Sequence, residues 1–380
     1  MAKAKRGSAV KKGLKFFNFG EAGTWKSSFA LDFMKMKNET GKPLRVLYID
    51  CEAGSVDNYL EDLEDQGIDL NNLLLIYTTS YAEVEEWANK AMNEDELLIE
   101  DEEGNLETAL DADGNPFVAD VIIVDGITVI TDNVKFAAIN VSEKRAKLKA
   151  KSQEKNATEQ FVAEATAGLE FKDHDKIKMK GKNLLRSLIT GTDKYVVVTS
   201  REKTKKVMTN VDGKMQLVEV GKVPDTWDGA EYEFFTVLRH FEDEDGSIKA
   251  QVMRKDRTKV FAQNEIIEAP TPVYWQEVIS SNKGKKSNIL HDNMEESIAK
   301  DEEVLSKGIT KNQDTTKVEV KETVETPEQL KKDIKKAIDA LALPKKKALR
   351  PKVEKAGLNV DYNVIESIDE LKKFLALATE

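Results

Sequence analysis

The chain is short of several things, and each shortage excludes a class of protein. It has one cysteine, Cys51, so no internal disulfide framework exists and a reducing compartment suits it. No apolar run approaches the ~20 residues that span a bilayer, so no membrane partner is expected. Lys3, Lys5, Arg6, Lys11 and Lys12 are not followed by an apolar core, which argues against a secretory signal and for a flexible basic arm over 1–13. There is no excess of positive charge: the net charge of -11 excludes a wholly basic nucleic-acid binder, though not basic patches within an acidic whole. No internal repeat is evident. What is present is enough for two or three domains: 380 residues, 40% hydrophobic and 33% charged.

Strand-like and helix-like segments alternate from Leu14 to about Glu268. Leu14 to Phe19, Leu44 to Ile49, Leu73 to Tyr77, Val121 to Val124 and Tyr195 to Thr199 are apolar runs of strand length. Phe234 to Leu238 and Ala250 to Met253 are shorter ones. Continuous apolar runs separated by helices predict an α/β fold, a mostly parallel sheet covered on both faces. Glu94 to Asp120 interrupts the rhythm with two turn sequences, Glu103-Gly104-Asn105 and Asp113-Gly114-Asn115-Pro116, and reads as an inserted acidic hairpin. Its glycine comes too early for a calcium loop. Residues 280–325 are polar, nearly free of aromatics, and read as a linker. Thr326-Pro327-Glu328 then opens a small helical module over 326–380, with helices at Gln329 to Ala342, Lys345 to Ala356 and Ser367 to Ala376.

Five stretches carry chemistry. The first is Gly20-Glu21-Ala22-Gly23-Thr24-Trp25-Lys26-Ser27-Ser28, a phosphate-binding loop between strand and helix in which Trp25 replaces the glycine before the lysine. Loop amides and the start of the following helix cradle phosphates. Lys26 would meet the terminal phosphates of ATP, and Ser27 would put its hydroxyl on Mg²⁺. A positive φ at Trp25 would cost about 1–3 kcal/mol. The second is Ile49-Asp50-Cys51-Glu52, a buried strand ending in acids, where Glu52 could position and deprotonate water. A surface pair capping the next segment is the plain alternative. The third is Val121-Ile122-Ile123-Val124-Asp125, whose carboxylate would support the metal. The fourth is the polar tip Thr199-Ser200, which could touch a γ-phosphate or simply end its strand. The fifth is Lys255-Asp256-Arg257: two cations on one face of an extended segment could stabilise charge in phosphoryl transfer, or could be a solvated strand end.

In that order these residues resemble the RecA-like ATPase core, over roughly Leu14 to Glu268. The resemblance implies ATP and Mg²⁺ as cofactors and a sheet flanked by helices. It implies Glu52 as catalytic glutamate beside Lys26, and Lys255 and Arg257 acting as a finger in a neighbour's site, as in RadA-type and DnaB-type rings. The Asp-Gly-Ile-Thr after Asp125 and the Val-Thr-Ser-Arg-Glu-Lys strand end are most similar to phage-encoded RecA-like ATPases of single-strand annealing and recombination. Such a protein would be a ring or filament homo-oligomer in the host cytoplasm, acting on single-stranded DNA and meeting other phage replication or recombination proteins. Its DNA-contacting loops would fall at Glu143 to Lys155 and at Arg201 to Trp227, with a solvated helix face as the plain alternative for these cations. A nucleotide-dependent switch with little hydrolysis, and a replicative helicase or loader, remain as alternatives.

Overall fold

Alternation within buried strands builds a sheet with two covered faces. Along the strand Lys15–Gly20 (β1), Phe16 joins one apolar cluster while Phe17 and Phe19 join the other. The computed structural model describes residues 10–101, 103–211, 214–254, 256–286, 301–302, 327–340, 343–365 and 367–379. These fall into two units, 1–301 and 302–380.

In the first unit β1 leads into helix α1 (Lys26–Leu31), which continues as a single 3-10 turn, Asp32–Lys35. Then come β2 (Val46–Asp50), α2 (Asp57–Asp65), β3 (Leu73–Tyr77) and α3 (Tyr81–Asn93). The short strands β4 (Leu98–Glu100) and β5 (Leu106–Thr108) pair with each other as a separate ribbon, so the acidic insertion is a hairpin. After β6 (Val121–Asp125) three helices follow: α4 (Ile127–Ser152), α5 (Ala157–Ala165) and α6 (Phe171–Thr190). The unit closes with β7 (Tyr195–Val211), β8 (Lys214–Pro224), β9 (Thr236–Glu242), β10 (Ile248–Val252), β11 (Ile266–Glu268) and α7 (Gln276–Ser280).

The strand order is β11-β10-β9-β1-β7-β6-β2-β3, with β8 pairing β7 off this path. The six strands from β9 to β3 run parallel; β10 and β11 are antiparallel additions. β7 separates β1 from β6, so the loop strand and the Asp125 strand flank a third strand. This is the RecA-like, mostly parallel sheet flanked by helices that the resemblance implies. One face packs on α3, α4 and α6 through Val84, Ile130 and Leu185; the other packs on α1 and α7 through Phe29 and Ile279.

Three expectations change. The stretch 143–155 is not a loop but belongs mainly to the 26-residue α4. The stretch after Arg201 is not a glycine-containing loop either: β7 runs on to Val211 and returns as β8. Part of the stretch read as linker belongs to the core, since Asn282 is buried and bonds both Nδ2–H and Oδ1 to the Lys12 backbone. Residues 287–300 and 303–325 of that stretch lie outside the described residues.

The second unit holds helices α8 (Pro327–Ala340), α9 (Leu343–Lys355) and α10 (Ile368–Thr379) around Leu330, Ile334, Val353, Leu371 and Phe374. Among the described residues no helix is long and apolar enough to cross a membrane.

Candidate phosphate-binding site

The loop after β1 needs glycine at one position for space and favours it at another for conformation. A Cβ on Gly20 would lie 2.1 Å from the His240 carbonyl oxygen, so the close approach of β1 to β9 requires glycine there. Gly23 takes φ 77. Trp25 takes φ 59 and ψ 26 at the N-cap of α1, and its backbone carbonyl accepts from the Phe29 N–H at 2.9 Å. The left-handed position that glycine would fill without strain is therefore filled by an indole 49% exposed, at about 1–3 kcal/mol of backbone strain. Lys26 Nζ donates back into the loop, to the Glu21 carbonyl at 2.5 Å and the Thr24 hydroxyl at 3.4 Å. Burial lowers its pKa; Asp125, Glu52 and Glu202 oppose that shift and Arg201 adds to it. Three strands thus bring charged groups within electrostatic reach of one ammonium: β6 directly, β2 through Glu52 just past its end, and β7 through Glu202 and Arg201.

Asp125 is 2% exposed and fully engaged by hydroxyls. Tyr48 and Ser55 each donate to Oδ2 at 2.7 Å, and Thr199 donates to Oδ1. Thr199 also accepts from the Gly126 N–H at 2.8 Å, so the polar tip of β7 locks the end of β6. Ser200 bonds the Arg201 carbonyl and takes no part in this lock. Burial and Asp125 together raise the Tyr48 hydroxyl far above its ordinary pKa, which keeps it a donor. Asp50, also buried, accepts from the backbone N–H groups of Glu52, Gly54 and Ser55, each at 2.8 Å. It shapes the turn that carries Glu52. A Cβ on Gly126 would come within 2.5 Å of the Glu52 Cγ, so glycine at that position lets the Glu52 stem lie over the end of β6. The Glu52 carboxylate accepts from Arg201 Nε at 2.9 Å.

Beneath the loop His240 is fully buried and neither ring nitrogen has a hydrogen-bond partner. Burial, reinforced by Lys26, pushes its pKa down to about 3; the Thr24 backbone offsets a little of this without hydrogen-bonding alignment. Asn18, two residues before Gly20, is likewise buried and unpartnered.

Arg257 is not brought to this site. β10 runs antiparallel to β9, so the segment after it returns to the opposite end of the sheet, where the Arg257 N–H donates to the Phe235 carbonyl at 3.1 Å. Five β1 residues separate that level from Gly20, roughly 17 Å at ~3.3 Å each. The segment is a turn rather than an extended strand: buried Asp256 accepts from Thr236, Thr258, Val260, Phe261 and Trp275 and bends the chain around itself. Arg257 is exposed over the Phe235 ring. Lys255 lies outside the described residues.

Sequence reasoning missed Tyr48, Ser55, Gly126 as a seat for Glu52, and Arg201 as its partner. Tyr48 had a signal, since it shares a strand face with Asp50 and lies one strand from Asp125.

No known family matches the chain, and no curated protein matches it. Among solved structures it is similar to a KaiC-like protein from the hyperthermophilic archaeon Pyrococcus horikoshii, at 12% identity over 69% of this chain and 90% of that chain, with a TM-score of 0.34. The fold assignment rests on the strand order above and not on this likeness.

Proposed function

We propose that the chain is a P-loop ATPase that acts on single-stranded DNA as a homo-oligomer, in recombination, annealing or replication. The observation that carries the ATPase part is the convergence of Lys26, Asp125 and Glu52, from three separate strands, at the C-terminal end of the sheet's parallel strands. Loop amides from Gly20 to Ser27 and the Lys26 ammonium would bind the phosphates. A magnesium ion bound with the nucleotide would neutralise charge developing on them. Such an ion takes phosphate oxygens and waters beside one or two protein groups. The Ser27 hydroxyl and the hydroxyl-caged Asp125 carboxylate fit that role. The absence of any cluster of three or more ligating side chains among the described residues is compatible with it. Glu52 would orient the attacking water and take its proton. Arg257 of a neighbouring copy would complete the charge stabilisation.

The DNA part rests on the sequence resemblance and on the projection built from α4, α5 and α6. Lys144, Lys149, Lys151 and Lys155 are exposed there, and so are the rings of Phe136, Phe161 and Phe171. Cations for phosphates and rings for bases are what sequence-tolerant binding of a single strand uses. The other two cations of that stretch are held internally, Arg145 by Asp173 at 2.7 Å and Lys147 by Glu164 at 2.8 Å.

One observation favours a second reading, a nucleotide-dependent switch with little hydrolysis. The Glu52 carboxylate is engaged by Arg201, and Trp25 strains the loop. Phosphate release measured with and without single-stranded DNA, in wild type and Lys26→Ala, tests the proposal. The wild type is expected to release phosphate faster with DNA, and the variant to fall by about 100-fold. Equal rates in both proteins would sink it. Tight ATP binding without turnover in the wild type, with turnover appearing in Trp25→Gly, would select the switch.

A further inference from the structure

Two antiparallel ribbons project from opposite ends of the central sheet, and their charges are opposite. The first continues β7 past Arg201, the last residue paired with β1, and returns as β8. The part of β7 from Glu202 to Val211 reaches about 33 Å beyond that pairing at ~3.3 Å per residue. From Arg201 to Pro224 its described residues hold six cations against two acids, Glu202 and Glu219. Met208, Met215, Leu217 and Val220 are 54%, 61%, 64% and 53% exposed, with Met208 opposite Leu217 in register.

The second ribbon is β4–β5 within the insertion 94–120, which contains eleven acids and no base. Leu106 and Leu110 are 69% and 51% exposed. Its roots are tied to the N-terminal ends of the parallel strands: Glu94 pairs with Lys194 just before β7, and Asp120 with Arg45 just before β2. Glu100, Glu103 and Glu107 have no cationic partner among the described residues. Because one ribbon leaves the C-terminal end of the sheet and the other the N-terminal end, they cannot meet within one chain.

We propose that the basic ribbon of one copy docks against the acidic ribbon of a second copy, head to tail. Three features point to this occupant. The charges are complementary, which steers and registers an encounter. Each ribbon exposes aliphatic side chains that a partner would cover. Each is two-stranded, marginal alone, and offers unpaired edges to further strands. Nucleic acid fits the basic ribbon less well. It has no aromatic residue from Glu202 to Pro224 on which a base could stack. A head-to-tail contact is heterologous, so it closes into a ring or runs on as a helical filament. It also turns the end of one copy that carries Arg257 toward the phosphate-loop end of the next. The inference rests on the oligomeric part of the reading above and not on hydrolysis.

Sedimentation velocity on the full chain tests it, using Lys205→Glu/Lys206→Glu for one ribbon and Glu100→Lys/Glu107→Lys for the other. Each variant alone is expected to self-associate at least about tenfold more weakly than wild type. An equimolar mixture of the two is expected to recover association, because the reversed charges pair across copies. Thermal melts confirm folding, and a fluorescent ATP analogue reports the nucleotide site separately. A monomeric wild type, association unchanged in both variants, no recovery in the mixture, or a ribbon variant that loses only oligonucleotide binding would each overturn the docking. Nucleotide binding retained alongside any of those results leaves the ATPase reading standing. Charge-dependent association with Lys26-independent phosphate release breaks the ATPase reading alone.

Discussion

The two ends of the central sheet treat the polar groups around them differently. At the N-terminal end every buried charge is answered. Lys15, 2% exposed, gives its ammonium protons to the carbonyls of Leu188, Thr192 and Lys194 at 2.9, 3.2 and 2.7 Å. Asp256 gathers backbone, hydroxyl and indole donors. At the C-terminal end Asp50 and Asp125 are answered as well, but the same strands leave the His240 and Asn18 side chains without partners, hold Trp25 in a strained conformation, and leave Lys26 bonding its own loop. Satisfied burial serves stability. Unsatisfied burial beside a loop of backbone amides is where a ligand has something to gain.

The sharpest break of this contrast is Asp256→Ala. It leaves several buried donors unanswered at the stable end, so it is expected to cost about 3 kcal/mol or more in chemical denaturation. Activity per folded molecule should survive unless the Arg257 turn is lost with it. A variant as stable as wild type would show that the turn does not need its acid. At the other end Asp125→Asn keeps size and most hydrogen bonding but removes the charge. Turnover should fall about 100-fold, roughly 2.7 kcal/mol, with little change in melting. A large stability loss with unchanged turnover would reverse the assignment of the two ends.

His240 sets the pH dependence. Its folded pKa, about 3, lies below the unfolded value, so between those two values the unfolded state binds the extra proton. Stability is then lost as pH falls from ~6.5 toward ~3, by at most about 1.4 kcal/mol per pH unit. Urea melts at pH 7 and pH 5 should differ by up to about 2 kcal/mol on this account, and His240→Phe should flatten the difference. An equal slope in the variant would assign the acid sensitivity elsewhere. The smallest effect is that of Trp25→Gly. Relief of the left-handed strain should change stability by about 1 kcal/mol or less, since glycine also loosens the unfolded chain. A large stabilisation would mean that the strain in the folded loop outweighs the freedom glycine adds to the unfolded chain.

Much of this was legible in residue order. β3 and β6 could be read from apolar runs bounded by polar turns, and the loop, Asp125 and Glu52 from their positions at strand ends. The ribbon of β7 and β8 was not legible. Arg201 to Lys206 alternates nothing apolar, since both faces of a projecting ribbon are solvated and period-two patterning disappears. α4 to α6 were missed as elements for a related reason. Most of α4, all of α5 and the first turns of α6 project from the core, and α4 carries cations and exposed aromatics around much of its surface rather than a single apolar stripe. Arg257 was placed on an extended segment because nothing local revealed that Asp256 would draw its donors from Thr236 and Trp275, which lie elsewhere along the chain.

By itself the sequence determined the class of fold and the order of the candidate site residues along it. Strands buried on both faces are written as continuous apolar runs, and a phosphate loop is a local conformation that local residues specify. The tertiary structure alone decided which acids share a site, that Arg201 holds Glu52, that Arg257 sits at the far end of the sheet, and that the two charged ribbons face opposite ways. Those facts depend on which strands lie side by side and in which direction. Strand neighbours are chosen by packing between segments far apart in sequence, and no local pattern records them.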